Sequence, residues 1–132
     1  MKGIAIIAVT LVALVSFLVF GADTISSKME KYVEDNYKSD DINYEKYTFL
    51  NAYYCNLVAK YDRSLALLDK YDQRFYKDEN REKSVYLRAK DFDQKLDGRP
   101  AKELYQKYME DFPQGSHFEK AKERYLDLKT YL

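Results

Sequence analysis

The side chains that could do chemistry are few. The chain holds one histidine, His117, and one cysteine, Cys55. A cysteine nucleophile needs a base within hydrogen-bond reach, and a metal needs several ligands converging on one point. Cys55 falls inside an apolar helical pattern, where a buried small hydrophobe is expected. His117 falls in a turn between two helical stretches, far along the chain. Asp91 and Asp93 stand two positions apart on a helical pattern, so they point to opposite sides and form no carboxylate pair. The sequence carries no glycine-rich phosphate loop, HExxH pair, CxxC pair or Asp-x-Asp-x-Asp-Gly loop. An enzyme is not expected, nor a cofactor, nor a metal site. With one cysteine, no intramolecular disulfide can form.

The stronger signal is aromatic. There are 14 Tyr and 7 Phe but no Trp, and tyrosine brings large area with few rotors to a core or an interface. Tyr47, Tyr54, Tyr61, Tyr71, Tyr105 and Tyr108 share stripes with Leu or Phe and read as core, whereas Tyr44, Tyr53 and Tyr86 lie off those stripes. Lys plus Arg and Asp plus Glu both count 22, with no basic block, so nucleic acid is not an expected partner.

The elements that position these residues are helical, because breakers are rare: 4 Gly and 2 Pro in 132 residues. Residues 1–22 join Lys2 to an apolar run over residues 4–20, closed by Gly21 and Ala22. That is the pattern of a signal peptide, and its 17 residues also suffice for a tilted transmembrane anchor. Either way the polar remainder is expected to be exported. Residues 23–41 read as a short amphipathic helix and linker, with Ile25, Met29, Tyr32 and Val33 on one face and Ser39, Asp40 and Asp41 as candidate N-caps.

Residues 42–132 read as one helical domain. A helix over 42–60 carries a main stripe (Tyr47, Leu50, Tyr54, Leu57, Tyr61) and a second stripe of small residues (Ala52, Cys55, Ala59). Asp62 caps a tight turn into an antiparallel helix over 65–76, and 77–83 is a charged connector leading into the next helix. The helix over 84–96, with Val85, Ala89, Phe92 and Leu96 inward, ends at a left-handed Gly98, and Pro100 opens the helix over 101–112. Pro113 stops that helix, and a Ser116–Glu119 capping box starts a last one bearing Phe118, Ala121, Tyr125 and Leu128.

Two of these stretches repeat. At an offset of 37 residues, Leu67 matches Leu104, Lys70 matches Lys107, Tyr71 matches Tyr108, Phe75 matches Phe112 and Ala52 matches Ala89. Ala101, Tyr105 and Pro113 stand at the spacing A-x3-[FY]-x7-P, which resembles the second helix of a tetratricopeptide repeat. Ala89 and Phe92 match the small residue and aromatic of its first helix, while Val85 and Arg88 depart from the pattern and Tyr76 stands where a proline would. The run Tyr105, Tyr108, Phe112, Pro113, Gly115, Ser116 is similar to tetratricopeptide proteins of the bacterial envelope, among them the periplasmic Tol-Pal coordinator and the outer-membrane assembly lipoprotein. No cysteine lies near the apolar segment, so the chain departs from the lipoprotein group.

The resemblance implies an all-α fold of antiparallel helical hairpins, about two plus a capping helix, behind the N-terminal hydrophobic helix. It implies a protein-binding scaffold in the periplasm or anchored in the inner membrane facing it. In that architecture the first helices line a concave face, which makes Tyr53, Asn56, Tyr86 and Lys90 the expected contacts for a peptide or helix of another subunit. The alternative is a membrane-anchored structural subunit of a larger envelope machine, which self-associates or packs through its N-terminal helix.

Overall fold

The computed structural model describes residues 2–74 and 78–131, for residues 2, 3, 5, 73, 74, 78 and 79 the backbone alone. Described residues form seven α-helices and no strand: α1 (Lys2–Phe20), α2 (Ala22–Asn36), α3 (Ile42–Leu57), α4 (Tyr61–Arg74), α5 (Asp78–Gln94), α6 (Gly98–Asp111) and α7 (Phe118–Tyr131). The chain is therefore all-α. From α2 onward each helix packs chiefly on the next, and α3 also touches α5.

The polar cross-links give the directions. Early α5 meets late α4 through Ser84 and Asp72, and late α5 meets early α4 through Asp91 and Ser64, so these two helices are antiparallel. Early α3 likewise meets late α4 through Glu45 and Tyr71, and early α5 meets late α6 through Glu82 and Tyr108. Two apolar cores result. One gathers Ala52, Cys55, Leu67, Leu68 and Leu87, the other Val85, Ala89, Ala101, Tyr105, Tyr108 and Ala121.

The 37-residue repeat has structural content beyond matched letters. The Tyr71 hydroxyl donates to Glu45 at 3.2 Å, and Tyr108, 37 positions on, donates to Glu82 at 2.7 Å. The ends of α3 and α5 match as well. Ala59 and Leu96 take left-handed φ values of 59° and 65°. In each case two backbone bonds close the helix: Lys60 N–H to Cys55 and Ala59 N–H to Asn56, then Asp97 N–H to Phe92 and Leu96 N–H to Asp93. This is the Schellman closure, made twice without glycine. Gly98 is not the left-handed residue; it begins α6, with Pro100 in the first turn, where no intrahelical N–H is needed. The repeat partners Phe75 and Tyr76 lie outside the described residues.

Several expected faces turn out differently. On α3 the inward residues are Tyr44, Glu45, Thr48, Asn51, Ala52, Cys55 and Asn56, while Leu50 and Leu57 of the expected main stripe stay 47% and 62% exposed. The cause is crowding: α2, α4 and α5 all press on α3, and close approach of backbones selects small residues. The facing side of α2 follows the same rule, burying Ala22, Ser26 and Val33 while Tyr32 is exposed. The segment over 23–41 is thus largely a packed helix, with Asp41 capping α3 by accepting from the Asn43 N–H at 2.7 Å.

Asp62 does not end a turn. α4 starts one residue earlier, and Asp62 reaches across to Lys95. The Ser116–Glu119 box does not form either, because Glu82 of α5 takes both the Ser116 N–H and its hydroxyl, at 2.8 and 2.9 Å. A long-range carboxylate outcompetes the local one. Gly115 permits this closure, since a Cβ there would lie 2.4 Å from the Tyr108 hydroxyl and 3.0 Å from the Phe112 carbonyl.

α1 stands apart from the two cores. Twelve of its large apolar side chains are exposed, from Ile4 to Phe20. The Tyr54 hydroxyl of α3 donates to its Leu18 carbonyl at 2.6 Å. Among the described residues no single helix is long and apolar enough to cross a membrane; residues 6–20 and α2 reach that length only together, bent by 66°.

Candidate functional site

A groove of about 420 Å³ opens where α3, α5 and α7 face one another. Its walls are aromatic: Phe49 and Tyr53 from α3, Tyr86 from α5, and His117 just before α7. Leu87 adds an aliphatic patch, and Lys83, Lys90 and Lys120 bring positive charge. A second hollow of about 510 Å³ shares Tyr86, Lys90 and Lys120 and extends to Asp93 of α5 and Arg124 of α7. The two adjoin as one long concavity.

Helical spacing explains the lining of α5. Lys83, Tyr86, Leu87 and Lys90 fall at intervals of three and four, so they share a face. The repeat contributes too, because Phe49 and Tyr86 are 37 residues apart and hold equivalent places. Of the four residues expected to bind a partner, Tyr53, Tyr86 and Lys90 line this concavity. Asn56 does not. It is buried, and its amide donates to Asp91 at 2.8 Å and Gln94 at 2.7 Å, joining α3 to α5.

His117 belongs to the groove wall. Its ring stacks on Tyr86 at 4.1 Å and 24°, and its backbone N–H donates to the Tyr108 hydroxyl at 3.0 Å. The tyrosine ring thus has a fixed orientation. From sequence His117 is only a residue of the turn before the last helix; the signal for its role is the Glu82–Tyr108 pair, which pulls that turn onto α5. Lys83 and Lys120 were equally unmarked, since a lysine on a wet helix face carries no signature.

The charges of the concavity are unevenly satisfied. Asp93 accepts two bonds from Arg124 at 2.9 Å each and one from Tyr105 at 3.1 Å. This pairing holds the Arg124 guanidinium charged well beyond its ordinary range, the Asp93 hydrogen bonds being the largest cause. Glu82 is drawn below the usual carboxylate range: burial would raise it, but donation from Tyr108 and Ser116 prevails. By contrast, none of Lys83, Lys90 and Lys120 lies within ion-pair distance of a described carboxylate. Three lysines with no ion pair among the described residues thus flank the aromatic walls.

Elsewhere the chemistry-bearing groups are engaged in packing. The Cys55 thiol is fully buried against Ser26 and Asn51, at 3.4 and 3.8 Å, and burial pushes its pKa up. Its hydrogen-bond partners lie on α2 and α3, whereas His117 stacks on Tyr86 of α5. Asp91 and Asp93 do diverge: Asp93 faces the concavity, and Asp91 turns into the protein to accept from Ser64 at 2.6 Å and from Asn56. Among the described residues no group of three His, Cys, Asp or Glu side chains is arranged to hold a metal ion. Compared with known proteins, the chain matches no family model, no curated protein and no solved structure.

Proposed function

We propose that this protein is a non-catalytic adaptor whose concave face binds a segment of another protein. The observation that carries this is the groove over Tyr53, Tyr86 and His117 with three lysines that have no ion pair among the described residues. Aromatic walls with large, rigid area suit a bound peptide or helix, and unpaired cations select one bearing carboxylates. The partner is then an acidic segment with at least one apolar side chain to set against Leu87 and Phe49. The twofold Tyr–Glu bond and twofold Schellman closure at one offset support reading α3 to α6 as two tetratricopeptide-like hairpins, with α7 as the cap. The exposed apolar surface of α1 supports a chain held at a membrane by that helix, with the repeats outside the cytoplasm.

Capture tests the adaptor. A C-terminally tagged full chain is crosslinked in intact membranes, solubilised gently and purified beside a Lys90→Glu, Lys120→Glu variant. The expected result is an unlike protein recovered in fixed ratio with the wild type and reduced at least tenfold with the variant. Recovery of the same protein with both chains would count against the groove.

A second reading has its own support, again in α1. Twelve exposed apolar side chains on one helix are also what a structural subunit of a larger membrane assembly would carry. Crosslinks confined to residues 4–20, or to further copies of this chain, would favour it.

A further inference from the structure

The outward face of α3 is unexpectedly apolar. Leu50 and Leu57 lie one turn before and one turn after Tyr54, so the three share a side of the helix. Leu50 and Leu57 are 47% and 62% exposed, while the ring of Tyr54 packs partly against the Ala52 and Cys55 core. Tyr54 is the residue whose hydroxyl donates to the Leu18 carbonyl near the end of α1. Burial raises the Tyr54 pKa, so that hydroxyl stays a donor. The exposed strip of α3 is therefore continuous with the exposed apolar surface of α1. Lys46 lies one turn before Leu50, and Lys60, paired to Asp23 at 2.6 Å, follows the closure that ends α3 just beyond Leu57.

The bend between α1 and α2 fixes how such a strip meets a bilayer. α1 and α2 differ in direction by 66°, and α3 returns alongside α2, with Lys60 at its end meeting Asp23 at the start of α2. With α1 along the membrane normal, α2 and α3 run close to the membrane plane instead of standing upright. The side of the body nearest the membrane is the side from which α1 departs, and Tyr54 marks that side. We propose that the Leu50–Tyr54–Leu57 strip of α3 lies in the headgroup and upper acyl region of the same bilayer that holds α1. Leucines flanked by lysines, with a tyrosine between them, are the composition of an interfacial helix face. The proposal rests on α1 being a membrane helix, and it adds an orientation: the concave groove opens beside the membrane, toward segments close to its surface.

The chain has no tryptophan, so a single introduced one reports its own surroundings. Leu50→Trp, Leu57→Trp and, as control, the exposed Leu126→Trp of α7 are made in the full chain. The three sites are 47%, 62% and 51% exposed, so a larger ring can turn toward the surface. Each variant is reconstituted into phosphatidylcholine vesicles, with and without bromine on the upper acyl chain, and floated on a density gradient. The expected result is co-flotation of all three, with bromine quenching the emission of the Trp at positions 50 and 57 at least twofold and that at 126 not at all. Co-flotation with equal, weak quenching at the three sites would overturn the interfacial strip and leave the anchor standing. Blue-shifted but unquenched emission at 50 and 57 would likewise overturn it and put protein, such as a second copy, on that face. Failure of the chain to float would overturn the anchor and the strip together.

Discussion

Asp91 is fully buried, and both its carboxylate oxygens are held by neutral donors, the Ser64 hydroxyl and the Asn56 amide. Burial outweighs these bonds and the nearby Lys90 and Arg88, pushing its pKa from 3.8 to about 6. A carboxyl whose folded pKa exceeds its unfolded value contributes stability when protonated. That contribution is complete below about pH 4 and is lost as the pH rises through about 6, a change of about 3 kcal/mol. Asp91→Asn keeps the shape and removes the charge. The expectation is that it exceeds the wild type in urea stability at pH 7 by about 2–3 kcal/mol, with the difference vanishing at pH 4. A less stable variant at pH 7 would show that the fold uses the charge. Glu82 works in the opposite sense, its lowered pKa giving stability that is lost as the pH falls below the ordinary carboxylate range. Gly115 is the other position where one residue decides. Gly115→Ala sets a methyl against the buried Tyr108 hydroxyl and the Phe112 carbonyl, and a loss of about 1–3 kcal/mol should appear in thermal melts. The two features were not equally legible beforehand. Asp91 looked like any aspartate on a helix, because burial of a charge leaves no local pattern, whereas the turn at Gly115 was plain from Pro113 and Ser116.

The helices themselves were legible, and their inward faces less so. Residues such as Ala101, Tyr105, Tyr108 and Ala121 bury as their periodicity predicts, because α6 and α7 each show one clear apolar stripe. α3 misleads because it has two stripes, and hydropathy favours Leu50 and Leu57 over Ala52 and Cys55. What decides is the number of neighbours pressing on the helix, which is a tertiary property. The contrast can be measured. Ala52→Leu should cost about 1–3 kcal/mol by overpacking, while Leu50→Ala at an exposed site should stay within about 0.5 kcal/mol in the same chemical melts. A large loss at Leu50 with tolerance at Ala52 would contradict the inverted face. The helix ends carry a further expectation. Leu96 holds a left-handed φ of 65° that a glycine would adopt freely, and its side chain is exposed. Leu96→Gly should therefore stabilise the fold by about 0.5–1 kcal/mol in thermal melts. The Schellman ends escaped notice because neither residue is glycine, the usual marker of that closure.

At the scale of the whole molecule, two units built on one offset are joined by polar links that neither unit could make alone. Asn56, Ser64 and Asp91 tie α3, α4 and α5, and Glu82 draws the turn before α7 onto α5. These links shape the concavity, since the second closes its far wall with His117. Tyr53, Tyr86 and Lys90 line the concavity, the face that the tetratricopeptide resemblance led one to expect of the first helices. Asn56 could not be separated from them, because a polar residue facing a groove and one facing a buried aspartate look alike in sequence. Binding through Lys83, Lys90 and Lys120 should also weaken with salt, as screening shortens the reach of each charge.

The central claim, that the concavity is where a partner protein sits, is tested most directly by photo-crosslinking from α7. Lys120 lines the concavity. Lys129 is nine residues on, two and a half turns away, and so points to the opposite side. A photoreactive phenylalanine analogue is placed at each position in turn, in full-length chain within intact membranes. The account predicts one discrete adduct with an unlike protein from position 120 and none from 129. Adducts of equal yield from both, or none from 120 while positions in residues 4–20 crosslink strongly, would contradict it.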